Sequence, residues 1–180
     1  MQKKGMIELQ RLSTEDFRNS DKSPIAVILE NVRSMHNVGS VFRTSDAFII
    51  EKICLCGYTP RPPHRDINKT ALGSTESVAW TGYDQGIDAL TALRKDGYSI
   101  YAVEQVHGSI PLDQFEVNTG KKIALVFGNE AEGVSQELIQ QCDGCIEIPQ
   151  FGSKHSFNIS VAAGIVLWEL YRKININKAG

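Results

Sequence analysis

Ile146-Glu-Ile-Pro-Gln-Phe-Gly-Ser-Lys-His-Ser-Phe-Asn-Ile-Ser-Val-Ala-Ala-Gly-Ile-Val-Leu-Trp168 is the stretch on which the chain turns. A short apolar run stops at Pro149, a polar loop containing Gly152 follows, and an apolar helix then begins with Ser156, Asn158 and Ser160 in its first turn. Proline cannot donate to a sheet ladder, so it closes the strand. Hydroxyl and amide groups at a helix start either cap its free N–H groups, with Ser156 as the cap, or face a ligand alongside them. In both readings the stretch is a strand, a loop and a helix, the repeating unit of an α/β sheet.

The same alternation recurs upstream. Ile25-Ala-Val-Ile-Leu29 is a continuous apolar run of strand length, as expected for a strand buried on both faces. Further strands are read at residues 52–57, 98–103, 122–127 and 145–148. Helices are read at 40–48, with Val41, Ala47 and Phe48 inward, and at 84–96, 134–141 and 156–173. The expected fold is therefore α/β, a mainly parallel sheet with helices on both faces. Residues 58–73 carry Pro60, Pro62 and Pro63 and read as a long loop, functional or mobile, without a regular element. At the N-terminus, Ile7, Leu9 and Leu12 lead into Ser13-Thr-Glu-Asp16-Phe17, which reads as a capped helical piece. Residues 1–24 are then an N-terminal helical extension, and 25–180 a single domain.

A net charge of -2 argues against a general nucleic-acid coat protein, whose affinity comes from widespread phosphate neutralisation. Local basic clusters are still present: Arg61, His64, Arg65 and Lys69 in the proline-rich segment, and Lys3, Lys4, Arg11, Arg18 and Lys22 near the start. No apolar run approaches the ~20 residues that span a bilayer, and Met1-Gln-Lys-Lys-Gly-Met6 lacks a signal peptide's apolar segment, so a cytoplasmic location is expected, with no membrane partner. Cys54-Leu-Cys56 and Cys142-Asp-Gly-Cys145 raise zinc, but the first pair shares one face of a strand and the second straddles a helix end and a strand start. Buried free thiols are expected, and no metal site.

Three polar segments follow strand ends, at 31–39, 128–133 and 149–156, and ligands of open parallel sheets bind beyond those ends. Gly128-Asn-Glu-Ala-Glu-Gly133 is no phosphate loop, because Val134 stands where the Lys before Ser135 is needed, and no Gly-x-Gly-x-x-Gly exists in the chain. Glu130 and Glu132 would repel phosphate, so a ligand with a positive or neutral end fits better. Serine hydrolysis is disfavoured despite Ser153, His155 and Ser156, since the Gly-x-Ser-x-Gly elbow is missing.

Taken in order, Asn37-Val-Gly-Ser-Val-Phe-Arg43-Thr44, Phe127-Gly-Asn-Glu130-Ala-Glu-Gly133 and Ile148-Pro-Gln-Phe-Gly152-Ser-Lys-His-Ser156-Phe-Asn158-Ile-Ser160 resemble the three motifs of the SpoU (TrmH-like) class of SPOUT RNA methyltransferases. The resemblance spans roughly residues 25–171. It implies transfer of a methyl group from S-adenosylmethionine to a ribose 2′-hydroxyl of tRNA or rRNA, with tRNA favoured, a C-terminal trefoil knot, and a homodimer through the last helix. By position it implies that Arg43, Asn37, Glu130, Ser156 and Asn158 are catalytic. Val103, Glu104, Gly128, Ile148, Ser156 and Phe157 would hold the cofactor, and Asn158 would meet Arg43 across the site. Gln150, Phe157 and Ile159 depart from the usual Met, Leu and Val of the third motif, which alters the pocket lining and spares the polar groups. Arg61, His64, Arg65 and Lys69 are the expected RNA contacts. The alternatives are a catalytically inactive RNA-binding protein on the same fold and an unrelated nucleotide enzyme on an open α/β sheet.

Overall fold

The computed structural model describes residues 2–5, 8, 11–118 and 120–176. Its strands are β1 (Ser23–Glu30), β2 (Ile50–Cys56), β3 (Ala79–Tyr83), β4 (Tyr98–Val103), β5 (Ile110–Pro111), β6 (Lys122–Phe127) and β7 (Gly144–Glu147). They form one seven-stranded sheet in the order β3-β2-β1-β6-β4-β7-β5, with every pairing parallel. The helices are α1 (Thr14–Asn19), α2 (Met35–Ala47), α3 (Arg65–Ala71), α4 (Ser74–Ser77), α5 (Gly86–Lys95), α6 (Gln136–Gln141) and α7 (Ile159–Tyr171), the last continuing as a π turn over Arg172–Ile176.

Two hydrophobic layers enclose the sheet, and β1 feeds both because successive side chains of a strand point to opposite faces. Ile25, Val27 and Leu29 pack with Val38, Val41 and Phe42 of α2 and Ala163, Val166 and Leu167 of α7. Ala26 and Ile28 pack with Ala89, Leu90 and Leu93 of α5 and Leu138 of α6. Phe17 of α1 joins the first layer, so the N-terminal piece is anchored to the body. Ser13 caps α1, its Oγ accepting from the Asp16 N–H at 3.1 Å, as the sequence pattern implies. Ile7 and Leu9 lie outside the described residues.

Several elements depart from the sequence expectation. Helix α2 starts at Met35, because the Ser34 Oγ accepts the Asn37 N–H and turns half of the expected polar loop into the first helical turn. Ala47 is exposed while Val41 is buried and Phe48 half-buried. Residues 65–71 are helical, since the prolines end at Pro63, His64 caps through Nδ1, and Ile67 and Ala71 lie four apart on one buried face. Strand β3 was missed because it is an edge strand of mixed composition, and β5 because it is only two residues long. The cap of α7 is Asn158, two residues beyond Ser156.

Cys54 and Cys56 are buried on one face of β2, and burial pushes the Cys54 thiol up to about 11. Burial likewise pushes Cys142 up to about 12, so neither thiol is a ready nucleophile or thiolate ligand near neutral pH. All four cysteines are free.

Candidate functional site

Because every strand runs the same way, the segments after β1, β6 and β7 emerge at one end of the sheet. The segment after β6 is a tight turn: the Asn129 N–H donates to the Gly133 carbonyl and the Gly133 N–H to the Asn129 carbonyl, both at 2.9 Å. The Asn129 Oδ1 accepts from the Ala131 and Glu132 N–H groups at 2.8 and 3.1 Å, closing the turn from inside. Gly128 has no room for a side chain, since a Cβ there would lie 2.1 Å from the Gly133 carbonyl carbon and oxygen.

This turn aims Glu130 at the start of α2. Its carboxylate accepts from the Arg33 N–H, the Ser34 N–H and the Asn37 Nδ2, each at 3.0 Å. Burial alone would raise the Glu130 carboxyl, but these donors outweigh it and hold the group below the ordinary carboxylate range. With its Nδ2 committed to Glu130, Asn37 presents Oδ1 outward, and that oxygen accepts from the Asn158 Nδ2 at 3.1 Å. Asn158 then turns Oδ1 to its own helix, accepting from the Ser160 N–H at 2.9 Å and the Ser160 Oγ at 2.7 Å. One carboxylate at the head of the relay and one helix N-terminus at its tail fix the orientation of both amides. All three motif segments are thus tied by a single directed chain of hydrogen bonds.

Beside the relay lies a cleft of about 290 Å³, lined by Val103, Glu104, Gly128, Glu130, Ile148, Ser156 and Phe157 among others. The Glu104 Oε2 accepts from the Val134 N–H at 3.0 Å, which leaves this carboxylate fixed at the cleft wall. The Gln105 Nε2 donates to the His155 carbonyl at 2.9 Å and straps the loop before α7 to the end of β4. Apolar walls at Val103, Ile148, Phe157 and Ala162 suit a flat aromatic ring, and the Glu104, Glu130 and Glu132 carboxylates suit a cationic ligand and disfavour a phosphorylated one.

All six residues expected to hold the cofactor line this cleft, and Asn37, Glu130 and Asn158 are bonded in series. Arg43 stands apart. Six residues beyond Asn37, it projects about 120° round the helix from it. It lines a different cavity, with α1 and α4, and Asn158 meets Asn37 in the place expected for Arg43. Of the expected RNA contacts, Arg61 lies against β3, its Nη2 donating to the Tyr83 carbonyl at 2.9 Å with Asp84 at 3.6 Å. Gly82 makes room for that guanidinium, as a Cβ there would come within 2.7 Å of it. Lys69 pairs with Asp66 at 2.6 Å and His64 is the α3 cap, so Arg65 alone of the four projects from α3 without a partner among the described residues. Sequence reading missed Ser34 and Gln105. Ser34 had a signal, a serine three residues ahead of Asn37 at a helix start, whereas the Gln105 strap joins residues fifty apart and has none.

A family model described as the SpoU rRNA Methylase family matches residues 24–168. The chain belongs to that family. This SpoU chain is 32% identical over 166 residues to a tRNA (guanosine(18)-2'-O)-methyltransferase of Thermus thermophilus, covering 92% of this chain and 84% of the relative. Among solved structures it resembles the A. aeolicus TrmH/SpoU tRNA modifying enzyme, with a TM-score of 0.80 and 27% identity over 92% of this chain and 84% of that one. It also resembles the AdoMet-bound rRNA methyltransferase of Sinorhizobium meliloti, with a TM-score of 0.77 and 28% identity over 87% of this chain. The SpoU chain spans 59% of the length of that rRNA enzyme.

Proposed function

We propose that this chain methylates a ribose 2′-hydroxyl of RNA, with S-adenosylmethionine as the methyl donor and tRNA as the favoured substrate over rRNA. The relay from Glu130 through Asn37 to Asn158 carries the reading, because it assembles all three motif segments at one rim of an apolar, carboxylate-walled cleft. When bound, S-adenosylmethionine supplies an electrophilic methyl group on a positively charged sulfur. Ile148, Phe157 and Val103 offer the apolar walls for its adenine, and the Glu104 and Glu130 carboxylates match its positive charge. The preference for tRNA is supported by the 32% identity to the tRNA (guanosine(18)-2'-O)-methyltransferase of Thermus thermophilus and by the likeness to the A. aeolicus tRNA modifying enzyme.

The protein's part is to hold the ribose oxygen in line with the methyl group and to polarise its O–H bond, so that the proton passes to water as the oxygen–methyl bond forms and the methyl–sulfur bond breaks. Positioning supplies much of the rate in such a displacement. Ser156 stands at the cleft and offers a hydrogen bond that orients the ribose, and Asn158, bonded to Asn37 and Ser160, fixes the helix start beside it. A guanidinium with a pKa above ~12 rarely gives up its proton, so Arg43 holds the adjoining phosphate and polarises the 2′-oxygen. Because Arg43 points away from the cleft of its own chain, a second copy would bring the two together. The outer face of α7 favours such a homodimer: Val161 and Trp168 are about half exposed, Phe151 is 96% exposed, and with Gly164 and Ile165 they line one apolar groove.

The trefoil knot fits the strand order. β5 lies outside β7 at the sheet edge, and the chain then returns to place β6 on the other side of β4, so β7 sits inside a loop made before it. Lys173 beyond α7 donates to the Leu112 and Phe115 carbonyls of that loop at 3.0 and 2.8 Å. No helix of the described residues is long and apolar enough to cross a membrane, and a cytoplasmic site of action accords with an RNA substrate.

Arg43→Ala is the direct test. Methyl transfer from labelled S-adenosylmethionine to tRNA transcripts should fall by at least a hundredfold, while the cofactor dissociation constant stays within about threefold. Full turnover in the variant would remove Arg43 from the mechanism, and cofactor binding without any transfer by the wild type would favour an inactive RNA-binding protein.

A further inference from the structure

We propose that the cavity between the N-terminal extension and α2 is a slot for one nucleotide of the RNA substrate, with Arg11 and Arg43 on its phosphate and Leu12 and Leu72 against its base. The slot rests on the methyltransferase reading above and adds to it a recognition surface built from α1 and the α3–α4 turn.

The cavity measures about 490 Å³ and its lining includes Arg11, Leu12, Arg43, Asp46, Leu72 and Glu76, with Phe17 and Ile49 at its apolar wall. Leu72 is the anomaly that points to a ligand. It closes α3 in the left-handed conformation, φ 50° and ψ 43°, where glycine is the residue of least strain, and its side chain is 66% exposed. Strain and exposed apolar surface thus coincide at one residue, and nothing among the described residues covers it. Leu12, 51% exposed, lines the same opening from the α1 side. Two aliphatic side chains at one opening suit the flat face of an unstacked base.

The polar groups divide in a way that suits one phosphate. Arg18 is committed, its Nε donating to the Glu76 carbonyl at 2.9 Å, and the Asp46 carboxylate accepts from the Ser77 hydroxyl. Arg11 and Arg43 have no hydrogen-bond or ion-pair partner among the described residues, so two guanidiniums remain for an anion. The Asp46 and Glu76 carboxylates would repel further phosphates, which limits the slot to one phosphate and its base rather than a run of backbone. The wall is already set before RNA arrives, because Phe17 is buried in the core and Arg18 clamps α1 to α4.

Leu72→Gly separates this role from a structural one, since glycine relieves the left-handed strain while removing the apolar contact. The variant should melt at or above the wild-type temperature and bind S-adenosylmethionine unchanged, yet show a KM for tRNA transcripts raised about five- to tenfold. Arg11→Ala should lower the slope of log binding constant against log salt by about one. Direct RNA binding, measured by filter retention with tRNA and rRNA-fragment transcripts, reads the slot even if the wild type transfers no methyl group, so failure of the slot and failure of the methyltransferase reading are distinct. Unchanged KM and RNA affinity in Leu72→Gly and in a second variant, Leu12→Ser, would overturn the slot. So would an effect confined to self-association in sedimentation, which would assign the cavity to a second copy of the chain.

Discussion

Replacing Glu130 by glutamine tests the relay at its head. The carboxylate accepts three hydrogen bonds, from two backbone N–H groups and one amide, and donates none. Glutamine keeps the size but turns one oxygen into a donor, so at least one of the three partners faces a donor in place of an acceptor. If that partner is Asn37, its amide must flip, Asn158 must flip in turn, and α7 loses the oxygen that caps the Ser160 N–H. Hydrogen bonds to a charged group are each worth ~1.5–3 kcal/mol, but Glu130 is solvent-exposed, so the expected net loss in urea unfolding is about 1–3 kcal/mol. The pH dependence gives a second readout. The folded-state pKa of Glu130 is depressed, so its contribution is fully present above the unfolded value of about 4.3 and is lost as the pH falls through the folded value. Wild-type stability should therefore decline more steeply than that of Glu130→Gln below about pH 4.3, and the two curves should converge in acid. A glutamine variant with wild-type stability at neutral pH and a parallel acid limb would refute the relay as a source of order.

Three further outcomes follow from the same geometry. Gly128→Ala drives a Cβ into the Gly133 backbone, which cannot move without breaking the Asn129–Gly133 pair; a loss of about 3 kcal/mol in urea unfolding is expected, with weakened cofactor binding by calorimetry. Trp168→Ser removes a half-exposed ring that also packs on Phe48, tilted at 5.8 Å, and should raise the dissociation constant of the proposed dimer at least about tenfold in sedimentation equilibrium. Arg61→Ala should lower stability by roughly 1 kcal/mol through the lost bond to the Tyr83 carbonyl and leave the salt dependence of RNA binding unchanged, whereas Arg65→Ala should reduce that dependence with stability intact.

Strands β1, β2, β4, β6 and β7 and the convergence of the three motif segments were legible in the chain because strands buried within the sheet write themselves as apolar runs. Edge positions do not. Ala79–Tyr83 is half in water and contains Gly82, and Ile110–Pro111 is too short to carry a period. The proline-rich segment misled for a local reason, since prolines ahead of a cap are compatible with a helix that begins just after them. Within the site, residue types and spacing marked Asn37, Glu130 and Asn158, but their order of bonding depends on two amide orientations that only the assembled network decides. Within one chain Asn158 meets Asn37 and not Arg43, because α2 begins at Met35 and so carries Asn37 and Arg43 on different faces of one helix.

Asn158 bonds with both ends of its amide, one to the first turn of its own helix and one to Asn37, 121 residues earlier in the chain. During synthesis the first two motif segments leave the ribosome well before it, and until it arrives Asn37 has nothing to hand its oxygen to. The start of α7 and the relay are therefore completed in one event, and a nascent chain that has not yet made residue 158 carries the parts of the site without their alignment. A product that ends before residue 158 would then leave the Asn37 oxygen without its partner and lack α7 altogether.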